Sequence, residues 1–369
     1  MYLRNNAPDA GSVLAELAAS IRGHSDEVDL YLDHIGEYEV YNPFLRDAPA
    51  VGKTAAGPIP YSLWERLGIR HVISNTDPGG AYPGGPIEGE GSGGAAPEGQ
   101  WHLENGKNDR TPAGWQEVKK DAIIEGLRTV ISGSPIIQFA EWAKVEDASR
   151  FWDGLFSDVI KPLNKRDFEF IFHLGDITKR LAFEVDEVLD IIGDYTSYGR
   201  VTLVLDDAEA DKLWSRLNGE GQGGNISRDK PQDAREKCLS LFNIMNVDVL
   251  LVLYGDHAVI FSRDWQFDLA GMALNDMPTP AYAKDCFNTG FRLGLLLRLD
   301  MPHCVALGLA VMGTYMVNAA APDSKGTAME HASGPDSKGA AMEHACAPDA
   351  KALVAYINDW IAALRPAVY

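Results

Sequence analysis

Short, almost wholly apolar runs bounded by turn residues recur through the middle of the sequence, and they constrain the fold more than any other feature. Thr129–Ile131, Phe168–Phe172, Val201–Leu205 and Val247–Leu253 are of this kind. A strand with one wet face alternates apolar and polar residues; a continuously apolar strand belongs to a sheet covered on both faces, which is the parallel arrangement. The intervening segments carry helical periodicity, over Trp115–Leu127, Val145–Leu163, Ala182–Ile192 and Pro231–Met245. The alternation predicts an α/β protein, a three-layer α/β/α sandwich on a mostly parallel central sheet. VDVLLVLYGDHAVIFSRD adds two strands joined by a turn at Tyr254–His257. Ligands of such sheets bind beyond the carboxyl ends of the strands, which singles out Gly133, Asp176, Asp206, Asp207 and Gly255.

The front of the chain is expected to hold a short helix over Ser12–Ile21 and a first strand through the alternating Val28, Leu30 and Leu32. A helix around Pro60–Leu67, capped by Gly68, leads to a strand at Ile69–Ser74. VGKT ends like a phosphate-binding P-loop, but Asp47 stands where that motif requires its first glycine. From Asp77 to Gln100 glycine and proline dominate, and HLENGKND follows with an Asn-Gly hairpin signal, so residues 77–110 read as either a lid or a plain surface loop. A 13-residue repeat begins at Ala321, Gly334 and Ala347, and its last copy runs on as an amphipathic helix ending near Leu364. All 369 residues are expected in one domain, with the repeats of 321–359 as its last element.

Charge and cysteine content exclude several classes of partner. A net charge of −20 argues against nucleic acid and against anionic membrane surfaces, both of which require clustered Lys and Arg. No stretch reaches the roughly 18 apolar residues of a membrane span. Cys238, Cys286, Cys304 and Cys346 show no metal or redox spacing and fit thiols in a reducing, cytoplasmic setting.

Chemistry is best concentrated in PTPAYAKDCFNTGFRLGLLLR, from Pro278 to Arg298. Here a proline-rich loop meets Asp285, and Phe287, Phe291 and Leu295 then follow at helical spacing, which places Asp285 at a helix start. Unpaired backbone N–H groups and the helix dipole favour an anion at such an end, and a carboxylate beside a bound phosphate can accept a proton. Asp285 is then either an N-cap or a general base.

Several of these segments resemble signatures of the ribokinase-like (PfkB) family of sugar and nucleoside kinases. TPAYAKDCFNTGF is similar to the family's DTTGAGD segment, with Asp285 on the catalytic base and Phe287, Asn288, Gly290 and Phe291 continuing the pattern. VTLVLDDAEADKLW resembles the Asn-x-x-Glu strand end, with Asp206 and Glu209 in those two positions. LLVLYGDHAVIF resembles the hairpin beside the nucleotide, with Gly255 at its turn, and AVGKTAAGPIPYSLWERLG resembles the first signature.

The resemblance implies a phosphotransferase using ATP, or ADP, with Mg2+ on a hydroxyl of a sugar or nucleoside-like small molecule, in a monomer or homodimer. Asp285 and Lys284 would be catalytic; Asp206, Glu209, Gly255, Ala283, Cys286 and Asn288 would face the nucleotide, with Glu209 and Asp206 on the metal. Asp33 and Lys53 fall where the family binds its substrate. Tyr282, Ala283 and Lys284 replace the family's Gly-Ala-Gly. Lys284 then either supplies a point charge in place of lost amides or blocks the site, and the second outcome would leave a degenerate protein with a binding or regulatory role.

Overall fold

The computed structural model describes residues 8–29, 31–32, 69–73, 114–140, 142–218, 234–255, 257–272, 283–320 and 348–364. Asp33, Lys53, the expected helix around Pro60–Leu67, the region 77–110 and repeat residues 321–347 lie outside the described residues.

Among the described residues seven strands, β1 (Ile69–Ile73), β2 (Ile136–Phe139), β3 (Phe168–Phe172), β4 (Gly199–Asp206), β5 (Val249–Tyr254), β6 (His257–Ser262) and β7 (Gln266–Ala270), lie side by side in sequence order. β2 to β5 pair in parallel, and β1, β6 and β7 extend the two edges antiparallel. The order explains the layering. Parallel strands that advance steadily in one direction through right-handed crossovers place every connecting helix on the same face. That face carries α2 (Trp115–Val118), α3 (Asp121–Ser132), α4 (Ala148–Leu155), α5 (Ala182–Tyr195), α6 (Asp207–Leu217) and α7 (Ala234–Ile244). The opposite face is left to elements from the two ends of the chain: α1 (Ala10–Gly23), α8 (Ala283–Leu296), α9 (Met301–Ala320) and α10 (Ala350–Leu364). The result is a three-layer α/β/α sandwich.

The two cores differ in kind. On the crossover face Phe139 stacks on Phe172 at 4.6 Å, Tyr195 meets Phe139 edge-on, and the Tyr195 hydroxyl donates to the Trp152 carbonyl at 2.7 Å. α4 passes there through a π turn at Phe156–Ile160 and a last helical turn at Lys161–Leu163. The other core is largely aliphatic, and within it α8 and α9 approach backbone to backbone. A Cβ on Gly290 would lie 2.6 Å from the Leu307 carbonyl oxygen, so this glycine of the α8 sequence is fixed by its neighbour helix.

Several local expectations change. Residues 25–29 and 31–32 are helical, and Val28 and Leu32 are buried four residues apart, a spacing as natural to a helix as their alternation was to a strand. Thr129–Ile131 belong to α3, an amphipathic helix, and the strand lies beyond Gly133, at Ile136–Phe139. Gly133 is accordingly the C-cap of α3 and stands at no strand end. The expected helix Trp115–Leu127 is broken between Val118 and Asp121. Among the described residues no helix is long and apolar enough to cross a membrane, and Cys238, Cys286 and Cys304 are free thiols.

Candidate functional site

Side-chain alternation along the parallel strands decides what faces α8. Phe139, Phe172 and Leu205 point into the aromatic core, so Gln138 on β2, His173 just after β3 and Asp206 at the end of β4 turn to the opposite face. All three lie at carboxyl ends of strands, where an open α/β sheet binds its ligands.

β4 passes into α6 without a loop, and this is possible because the chain carries Asp206 and Glu209 three apart. The Asp206 backbone is extended (φ −89°, ψ 174°), and its Oδ1 accepts from the Glu209 amide at 2.7 Å. Glu209 Oε2 accepts in return from the Asp206 amide at 2.9 Å, completing a capping box. The two carboxylates are thereby held rigidly at the positive end of α6.

Lys284, in the first turn of α8, reaches across to both. Its Nζ lies 2.8 Å from Glu209 Oε2 and 3.2 Å from Asp206 Oδ2. Burial opposes its charge, but Glu209 and then Asp206 outweigh this and hold the ammonium above the ordinary lysine range. The starts of α6 and α8 are thus joined by one cation between two anions, and the exposed Asp285 is the next residue along. Mg2+ requires near-octahedral oxygen ligation. Three of the four carboxylate oxygens here are already engaged by the ammonium or by backbone amides, so this donor set does not fit a metal held by Asp206 and Glu209. Among the described residues no group of three or more His, Cys, Asp or Glu side chains is arranged to hold a metal ion.

A second polar cluster lies deeper along the same helix face. Thr289 and Arg292 follow Asp285 at four and seven residues, one and two turns on. Arg292, 2% exposed, donates to Gln138 Oε1 and, at 3.2 Å, to Thr289 Oγ1, while the Gln138 amide lies 3.0 Å from His173 Nε2. The cluster anchors α8 to the ends of β2 and β3. The sequence offered one sign of it, an arginine in an otherwise apolar helix at the seven-residue spacing from Asp285.

The remaining expected site residues are dispersed. Ala283 opens α8 and is buried, Cys286 is half-buried, and Asn288 is buried in the second turn. Gly255 stands exposed at the β5–β6 turn with φ +62°, and backbone conformation, not crowding, requires a glycine there. Asp176, in the loop after β3, accepts from Thr178 Oγ1 at 2.7 Å and pairs with Lys212 of α6 at 3.0 Å, and these partners hold its carboxyl down to about 2.

A family model for prokaryotic ketohexokinase matches residues 100–331, well over half of the chain. The match takes in Asp206, Glu209, Gly255, Lys284 and Asp285, and leaves out Asp33 and Lys53. Similar solved structures include ribokinase from Thermotoga maritima, 13% identical over 66% of this chain and 61% of that one, with a TM-score of 0.40. The adenosine kinase of Sinorhizobium meliloti is 13% identical over 56% of this chain and 54% of that one (TM-score 0.38). Arabidopsis thaliana ribokinase, solved with ribose and ATP, is 13% identical over 64% and 59% (TM-score 0.38). The chain therefore spans less than two thirds of the length of each of these three. No curated protein matches. On the family match, the chain belongs to the prokaryotic ketohexokinase family.

Proposed function

We propose that this protein transfers a phosphoryl group from ATP to a hydroxyl of a sugar, with a ketohexose as the first substrate to try. The observation that carries the proposal is the pairing of Asp285 and Lys284 in the first turn of α8, at the carboxyl ends of the parallel strands and within the family match. In this reading Asp285 accepts the proton of the attacking hydroxyl. The Lys284 ammonium and the positive end of the α8 dipole bear on the charge of the transferred group. Asp206 and Glu209 act through Lys284 by fixing where its charge stands. Gly255, Cys286 and Asn288 belong to the nucleotide side, and Asp33 and Lys53 to the substrate side, by the resemblance of their segments.

One observation favours a second reading, a catalytically degenerate protein that binds a ligand. Ala283 is buried and Lys284 is tied to two carboxylates, where the family signature has small, donor-rich backbone. A coupled assay with ATP or ADP against ketohexoses, aldohexoses and nucleosides, run beside calorimetry of nucleotide binding, separates the two. The kinase reading expects turnover on a sugar. Absence of nucleotide binding at millimolar concentration would reject it in favour of the second.

A further inference from the structure

We propose that Lys284 is a built-in cation that keeps a divalent metal off Asp206 and Glu209. The exclusion stands on geometry alone; only the use made of it, a fixed positive charge beside a phosphoryl group, rests on the phosphotransferase reading.

Asp206 Oδ1 is committed to the Glu209 amide, Asp206 Oδ2 to the ammonium, and Glu209 Oε2 to both the Asp206 amide and the ammonium. Among the four carboxylate oxygens only Glu209 Oε1 is clear of these contacts, so a metal bound by the pair would lie against the ammonium and compete with it for both anions. The ammonium is on a side chain only 29% exposed, where losing its anions is costly. The helix that carries the lysine is fixed by backbone contact with α9 at Gly290 and by Arg292 at the sheet, so the ammonium can be withdrawn only by a change of its own side-chain rotamer. A tethered ammonium supplies one positive charge at a set position without the several water ligands that Mg2+ retains.

The test is titration of the metal-free protein with Mn2+, followed by electron paramagnetic resonance, for the natural protein, E209Q, K284R, K284M and K284M/E209Q. The natural protein, E209Q and K284R should take up Mn2+ alike, through scattered surface carboxylates only. K284M should gain one Mn2+ per chain, bound about tenfold or more tighter than those surface ions, and K284M/E209Q should lose it. A Glu209-dependent Mn2+ site in the natural protein would overturn the proposal, and that comparison requires no lysine variant to fold. A folded K284M that gains no site would overturn it as well. Because no nucleotide or sugar is present, a protein without kinase activity gives the same answer.

Discussion

The first and third turns of α8 carry polar clusters of opposite design. At the first turn Lys284 and its two carboxylates are partly exposed and tied to another helix start. At the third, the Arg292 guanidinium is almost wholly enclosed and is met by the neutral oxygens of Gln138 and Thr289. Charge kept near water is cheap to hold and available to a ligand, whereas an enclosed arginine must be held by an accurate set of hydrogen bonds and contributes geometry. One helix thus holds an enclosed anchor in its third turn and, in the proposed function, the chemistry at its rim two turns away.

Breaking the deep cluster should cost most stability. Arg292→Met leaves Gln138 and Thr289 with unmet acceptors and should lower unfolding free energy by about 2–4 kcal/mol. An unchanged midpoint in denaturant titration would mean that the enclosed guanidinium confers no net stability. Gly290→Ala pushes α8 off α9 and should cost about 1–3 kcal/mol in the same measurement, with turnover reduced because the rim moves with the helix. Lys284→Met removes a partly exposed ion pair and should cost no more than about 1 kcal/mol, so a much larger loss would show that the rim is structural after all.

The smallest effect belongs to acid. The folded-state pKa of Asp176, about 2, lies below the usual carboxylate value, so its stabilisation is present above about pH 4 and fades as pH falls toward 2. Asp176→Asn should remove that small contribution above about pH 4, flatten the stability curve between pH 4 and 2, and leave stability at pH 2 nearly unchanged. Lys284 has the opposite sign. Its folded value is raised above 10.5, so its stabilisation persists through neutrality and is lost only as pH rises through that folded value. Natural protein and K284R should therefore share one stability profile from pH 6 to 9.

How much was legible follows from what each segment had to encode. β3, β4 and β5 were readable because burial on both faces demands nearly continuous apolar residues, unbroken in VLLVLY and interrupted only by Glu169 in FEFIF. β2 was misplaced because Thr129, Val130 and Ile131 favour strands locally, yet the amphipathic pattern from Asp121 overrides that preference and pushes the strand past Pro135. β7, QFDLA, escaped notice because an edge strand with one wet face is short and half polar. In the site, Asp285 at a helix start and the Asp206–Glu209 spacing were visible, since caps are local. The choice left open for Lys284 was not resolvable from sequence, because its partners lie more than 70 residues away, and the same holds for Gln138 and His173 around Arg292.

In the proposed function the rim of α8 is the chemical centre and Asp285 is its base. Steady-state turnover of Asp285→Asn on a ketohexose with ATP, with nucleotide affinity and unfolding midpoint measured on the same sample, tests it most directly. If Asp285 is the base, kcat should fall about 10²- to 10⁴-fold with affinity and midpoint nearly unchanged. Turnover equal to that of the natural protein would contradict it.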